Sequence, residues 1–235
     1  MITKMNRGRK KTEDQATASR ILNAAEEHFA AQGLAGARTD QIALAARANK
    51  AMLYYYFGNK RRLHRAVLEN LLRQFRSRVL APPPESLSAS EKLLEIVSGY
   101  FDFLATHPNY PRLVQREVME PGRFDWMVRE YFRPLHQLLA RTLAEGMASR
   151  EFRALDANQL AQITMGMTTS YFAAAPILSQ VAGYNLLAPQ AVAARKRALL
   201  DFLHHGVMRD AAKPHAAKSV RPKSIAAKSL GAKSR

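Results

Sequence analysis

The chain has 235 residues, 47% hydrophobic and 23% charged, which is room for one or two domains with a buried core. It has no cysteine, which removes disulfides, thiol catalysis and cysteine-ligated zinc, and no apolar run approaches the ~18 residues of a membrane span. Lys and Arg number 36 against 19 Asp and Glu, a net charge of +17, which points to a polyanion partner, nucleic acid ahead of membrane.

Residues 1–12 form a basic arm, with Lys4, Arg7, Arg9, Lys10 and Lys11 and no acid. It leads into charge and not into an apolar signal region, so secretion is not expected. Thr12-Glu13-Asp14-Gln15 has capping-box spacing and predicts the start of a first helix. Ile21, Leu22, Ala25 and Phe29 share a face of it, and Gly33 suits the left-handed residue that ends it. Thr39 is placed to cap a short second helix, with Asp40 near its positive end and Ile42, Ala45 and Ala46 facing in. After a break at 47–49, a third helix is predicted over Lys50–Phe57. Asn59 is placed to cap a fourth, in which Leu63, Val67, Leu71 and Phe75 recur at four-residue steps until the prolines at 82–84.

Ser88-Ala89-Ser90-Glu91 predicts another capping box, followed by Leu93, Val97, Tyr100, Phe101 and Leu104 on one face until His107-Pro108. Further helical patterns cover 111–120, 124–147, 157–180 and 189–209. Pro111 and Pro189 suit first turns, Asp156 suits a cap, and Pro176 should kink or shorten its helix. Strand alternation is nearly absent, so the fold class is all-α. Residues 211–235 carry seven Lys and Arg with no acid, repeat Ala-Lys-Ser, and lack aromatics. Such a segment cannot offset its ordering entropy and reads as a disordered basic tail.

Short helices followed by a long one place a helix-turn-helix at about 39–57. A major groove admits one helix, and a second helix lying across it sets the angle. The third helix offers Asn49, Lys50, Tyr54, Tyr55 and Tyr56 to phosphates and base edges. Leu53 and Phe57 are core, and one of the three tyrosines can pack inward, because consecutive residues span most of a helix circumference.

Arg20-Ile21-Leu22, Ala24-Ala25, Phe29, Gly33, Thr39, Ile42-Ala43, Ala46, Asn49-Lys50 and Leu53-Tyr54-Tyr55-Tyr56-Phe57, with Lys60 and Leu63, resemble the DNA-binding domain of the TetR repressor family. The resemblance covers about residues 14–65. Beyond residue 80 it is one of length and helical layout. It implies an all-helical homodimer. An N-terminal helix-turn-helix domain (13–65) is joined by the rest of a long fourth helix and a Pro-rich break (66–84) to a helical ligand-binding and dimerisation domain (85–210). It also implies that Thr39 and Lys60 contact phosphate, that Asn49, Lys50, Ala51 and Met52 sit near base edges, and that Tyr54, Tyr55 and Tyr56 contact backbone and bases. The family has Gly in the turn where this chain has Arg47. A non-Gly residue at positive φ costs about 1 kcal/mol. Lys60-Arg61-Arg62 opposes the dipole of the fourth helix, which phosphates would neutralise.

The resemblance implies a repressor that binds a palindromic double-stranded DNA operator and is released by a small apolar or amphipathic effector. Candidate pocket residues in the second half are Tyr100, Phe103, His107, Tyr110, Gln115, Arg116, Trp126, Tyr131, Met165, Thr168, Thr169 and Phe172. A surface salt bridge is the preferred account of Arg116-Glu117, and plain core packing that of each aromatic taken singly. The last two helices are expected to form the dimer, with Gly166, Ser170, Ala173 and Ala174 allowing close approach and Leu199, Phe202, Leu203 and Val207 giving apolar area. No histidine pair falls at i,i+3 or i,i+4, and there is no Gly-rich phosphate loop or nucleophile elbow. An enzyme, a metal site and a cofactor are therefore not expected. The expected location is the cytoplasm, on the nucleoid, with no membrane partner. The alternative reading is a constitutive or architectural DNA-binding protein dominated by its tail.

Overall fold

A computed structural model describes residues 2–119 and 124–209, with side chains from residue 13 onward. The tail at 211–235 lies outside the described residues. Among those described there is no strand, only one antiparallel bridge between Phe152 and Met208. No helix among them is long and apolar enough to cross a membrane.

Helix α1 (Ile2–Gly36) begins well before Thr12, so Thr12 lies inside the helix and does not cap it. Residues 2–12 contain no proline, and each added helical residue gains a backbone hydrogen bond, so a local capping box does not stop propagation. Gly33 breaks the helix at φ 70, ψ 177, a conformation open to glycine. Helix α2 (Thr39–Ala45) is preceded by Arg38 in the cap position, with no side-chain cap. Thr39 is therefore its first helical residue and not its cap, and the helix starts one residue earlier than expected. Ile42, Ala43 and Ala46 are buried, and Ala45 is exposed. At 100° per residue, Ala43 and Ala45 flank the direction shared by Ile42 and Ala46 equally, so packing against the neighbouring helices, and not periodicity, decides which of them is buried.

Helix α3 (Lys50–Phe57) matches its sequence prediction, and α4 (Lys60–Val79) buries Leu63, Val67, Leu71 and Phe75. Helix α5 (Ala89–Thr106) starts with the predicted reciprocal capping box of Ser88 and Glu91. Helix α6 (Tyr110–Val118) carries Pro111 in its first turn. The predicted helix over 124–147 is instead α7 (Asp125–Met127), a π-turn (Val128–Phe132) and α8 (Arg133–Ala148). Pro134 supplies no N–H and crowds the preceding turn, and the wider π-turn lies just before it. Helix α9 (Ala157–Ala173) is capped by Asp156, whose carboxylate accepts from the Asn158 and Gln159 amides. Pro176 separates it from α10 (Ala175–Ala182), and α11 (Pro189–Val207) follows.

Two packing units result. Helices α1 to α4 bury Ile21, Ala25, Phe29, Ile42, Leu53 and Leu63 together. Helix α4 continues into the second unit, where α5 packs against α4, α8, α9 and α11. Leu199, Leu203 and Val207 are buried in this unit, so they are core residues and not the dimer surface expected of them; Phe202 alone of that set is exposed. At the end of α8, Gly146 faces the buried ring of Phe152, where a Cβ would stand 2.2 Å from ring carbon.

Glu151 ties this corner to α5. Its carboxylate accepts from the backbone amides of Ala89 (3.2 Å) and Ser90 (3.0 Å). The hydrogen bond from the Ser90 amide, first among several, holds its pKa below the usual carboxylate value. A lowered folded-state pKa stabilises the fold above the unfolded value near pH 4.5 and loses that contribution as pH falls through the folded value. Glu151→Gln is expected to lower stability at pH 7 and to reduce its decline between about pH 5 and pH 3. Thermal unfolding across that range checks this; parallel curves for the two proteins would contradict it.

Candidate nucleic-acid interface

Helices α2 and α3 are joined by a turn built on backbone bonds. The Ala48 amide donates to the Ala43 carbonyl at 2.9 Å and the Arg47 amide to the Leu44 carbonyl at 3.0 Å, the two bonds of a Schellman motif. That motif needs a left-handed residue after the cap, and Arg47 occupies it at φ 51. The Arg20 guanidinium, from α1, donates to the Ala46 carbonyl at 3.2 Å and braces the turn. Arg47→Gly is expected to raise stability by about 0.5 kcal/mol, strain relief less the extra freedom of the unfolded glycine. Urea unfolding with an unchanged m-value checks this; an unchanged or lower midpoint argues against strain.

Asn49 caps α3, its side-chain oxygen accepting from the Met52 amide at 2.8 Å, and Asn59 caps α4 in the same way through Arg62. The Asn49 oxygen is thus committed to the fold, which leaves its amide hydrogens for any ligand. Leu53 is fully buried and Met52 half-buried against the core. Ala51 and Lys50 are exposed.

The three tyrosines diverge. Tyr56 turns toward α1 and donates to the Asp14 carboxylate at 2.9 Å, so it is the inward-packing member of the set, and its hydroxyl is already taken. Tyr54 is partly exposed, with its hydroxyl 3.3 Å from the Thr39 hydroxyl, which links α3 to the start of α2. Tyr55 is 80% exposed, and its only ring contact among the described residues is the edge of Tyr56. Lys60 donates to the Ala35 carbonyl at 2.9 Å. With Arg38, Thr39, Asp40 and Lys50 it lines a cleft of about 340 Å³ beside the first turn of α2. The one carboxylate there, Asp40, is paired to Arg38 at 2.9 Å, which holds its pKa below the usual range. Lys50 and Lys60 make no ion pair among the described residues. Lys50 and Lys60 therefore leave this cleft with an excess of positive charge.

In the second unit an aromatic cluster surrounds Phe75, a residue whose role has no sequence signal beyond its helical spacing. Tyr100, Phe103, Tyr110 and Tyr131 all stand within 6.4 Å of its ring centroid. The Tyr100 hydroxyl pairs with the Thr169 hydroxyl at 2.5 Å, and burial pushes its pKa up to about 12. The Tyr110 hydroxyl is buried without a partner among the described residues, and burial raises its pKa well above the usual value. His107 stacks on Phe103 and reaches Gln74 at 3.1 Å. Tyr100, Phe103, His107, Tyr110, Tyr131 and Thr169 are therefore brought together.

The other candidates part from that group. Phe172 packs on Phe101 and Tyr171 instead. Among the described residues, the one aromatic contact of Trp126 is with the edge of Tyr131, and its ring lies under the Arg65 guanidinium, 3.9 Å away. Met165 is half-buried, its carbonyl accepting from Thr169, and Thr168 is buried with its hydroxyl on the Thr164 carbonyl. Gln115 is exposed.

Arg116 leaves the cluster altogether, which corrects its place among the pocket residues. Its guanidinium lies against Gly33 and donates to the Ala31 carbonyl at 3.2 Å, at the end of α1. The surface pair Arg116-Glu117 is also corrected. Glu117 is buried, 3.6 Å from the ring nitrogen of His64, which packs edge-on to Phe29. At the other end of α6, Asn109 donates to Glu26 at 3.4 Å. Helix α6 thus grips α1 and α4 of the N-terminal unit through Asn109, Arg116 and Glu117, which adjacent positions in a sequence do not reveal.

The chain's match to known proteins covers both units. Residues 21–67 match the family model of bacterial regulatory proteins, tetR family, and residues 90–203 match the tetracyclin repressor-like C-terminal domain. Over 108 residues, 46% of this chain and 53% of the relative, it is 41% identical to the HTH-type transcriptional repressor SCO4008 of Streptomyces coelicolor. It is 31% identical over 106 residues to the HTH-type transcriptional repressor NicS of Pseudomonas putida, covering 45% of this chain and 50% of that one. The chain spans about half the length of these two relatives. The transcriptional regulator FadR from Bacillus subtilis, solved in complex with stearoyl-CoA, shares its fold at a TM-score of 0.60 and 24% identity, over 79% of this chain and 96% of that one. With both of its helical units matched in order, the chain belongs to the TetR family of regulators.

Proposed function

We propose that this protein is a sequence-specific transcriptional repressor, not an enzyme, that binds a palindromic DNA operator as a homodimer and is released by a small apolar or amphipathic ligand. One observation carries the reading: α3 presents a nearly bare Tyr55, and its first residue, Lys50, lines a cleft at the start of α2 together with Lys60. A large ring on a short, well-packed helix serves no folding purpose there. It suits a groove, where its hydroxyl can reach phosphate and its ring a thymine methyl. In this reading residues 13–65 bind DNA and 85–210 sense ligand and dimerise, in the cytoplasm.

A dimer is supported by the outer faces of the last helices. Ile163, Ile177, Val181, Tyr184 and Phe202 are exposed, and Gly166 and Gly206 have open space around them. Apolar side chains with small residues between them suit a close, two-fold helical interface. Paired reading heads then fall ~34–36 Å apart, one turn of DNA.

Release is supported by the aromatic cluster. The unpartnered Tyr110 hydroxyl offers a hydrogen bond inside an apolar surround, and the similar Bacillus protein holds an amphipathic acyl compound. Tyr110 begins α6, and Arg116 and Glu117 end it against α1 and α4. A ligand that draws on Tyr110 therefore tilts the element that sets the reading head. Light scattering of the protein mixed with DNA from upstream of its own gene tests the assembly. Two chains, or a multiple of two, per duplex are expected; a single bound chain would overturn it.

A further inference from the structure

A cavity lies apart from the aromatic cluster, along the flank of α8. It is a cleft of about 730 Å³ whose walls include Leu80 and Pro82 after α4, Leu138, Ala140 and Ala144 on α8, and Ala157 at the start of α9. Ala140 and Ala144 give it depth, since larger side chains there would fill it. Its size falls within the ~300–1,000 Å³ of small-molecule sites.

Its polar groups are unspent. His136, Gln137, Arg141 and Asn158 also line it, and none of these side chains makes a hydrogen bond among the described residues. The His136 Nε2 atom is buried with no partner among the described residues, a state that costs stability and that a small turn of the ring toward a ligand in the cleft would relieve. No acidic side chain lines the cleft. The imbalance is a guanidinium, an imidazole and two amides facing apolar walls, with no anion to meet them. A carboxylate matches the planar fork of an arginine, and an alkyl chain matches the walls.

We propose that this cleft binds an amphipathic carboxylate, its head held by Arg141 and His136 and its chain laid against Leu80, Pro82, Leu138 and Ala144. The site is separate from the cluster around Phe75 and does not depend on that cluster binding anything.

Calorimetric titration of the full chain with decanoate, below its micelle concentration, tests this. Saturable binding is expected, with decanol and acetate each at least tenfold weaker, since one lacks the charge and the other the chain. Arg141→Gln, at an exposed position, should weaken decanoate at least tenfold while leaving the unfolding midpoint in place. Ala144→Phe, which fills the cleft, should do the same. Arg112→Gln, an exposed arginine outside the cleft, should leave the affinity within twofold and so exclude a general charge effect. Absence of saturable binding, equal affinity for decanol, or decanoate affinity indifferent to Arg141→Gln would each overturn the proposal.

Discussion

Phe75→Ala is expected to lower unfolding stability by about 3–5 kcal/mol, the largest effect of a single substitution named here. The ring is fully buried, and four other aromatic rings converge on it. Stacking on Tyr110 and edge contacts to Tyr100, Phe103 and Tyr131 each add to simple burial, by about 0.5–1.5 kcal/mol for a well-placed pair. Those partners come from α5, α6 and the π-turn, so they cannot collapse together into the space left by one ring. Phe75→Leu keeps most of the volume and should recover more than half of the loss. Urea unfolding checks both variants. A loss below about 1 kcal/mol for Phe75→Ala would show that the cluster rearranges freely, and would weaken its reading as a preformed ligand site.

Tyr55→Ala is expected to weaken operator binding at least tenfold while moving stability by no more than about 0.5 kcal/mol, the range of surface substitutions. Its side chain carries no hydrogen bond among the described residues and touches only the edge of Tyr56. Lys50→Ala should act differently if its contact is to phosphate. It should lower affinity for operator and unrelated DNA alike and reduce the slope of log affinity against log salt by about 1. If it reads a base edge instead, the loss should fall on the operator alone. Tyr56→Phe provides the contrast: it removes the bond to Asp14, so its cost should appear in stability before it appears in DNA binding. Tyr55→Ala with full operator affinity would remove α3 from the reading surface.

The helical layout was legible because its signals are local. The spacing of Leu63, Val67, Leu71 and Phe75 marks a buried stripe, Ser88 and Glu91 mark a cap, and Pro176 marks a break. The family resemblance marks Arg47 as standing where glycine is usual but leaves open whether the turn is built differently; Arg47 does stand at positive φ. The errors came where local signals compete or where distance in sequence hides contact. Thr12 has a cap's spacing, but nothing on its N-terminal side stops a helix. The π-turn before Pro134 keeps a helical pattern of side chains, so periodicity does not separate it from a continuous α-helix. Leu199, Leu203 and Val207 are apolar whether they face a partner or α5, so composition could not choose. Arg116 and Glu117 look like one surface pair in sequence, yet they close two contacts to α1 and α4. The uncommitted arginine and histidine of the α8 cleft carry no pattern in sequence, because their meaning lies in the absence of acids around them in space.

Fluorescence anisotropy tests the central claim most directly. The full chain would be titrated, at near-physiological salt, into labelled DNA from upstream of its own gene and into a shuffled duplex of equal length. Operator reading predicts a preference of ~10³ or more for the upstream DNA, lost on Tyr55→Ala. Equal affinity for both duplexes, falling steeply with salt, would contradict operator reading on that DNA and assign binding to the basic ends of the chain.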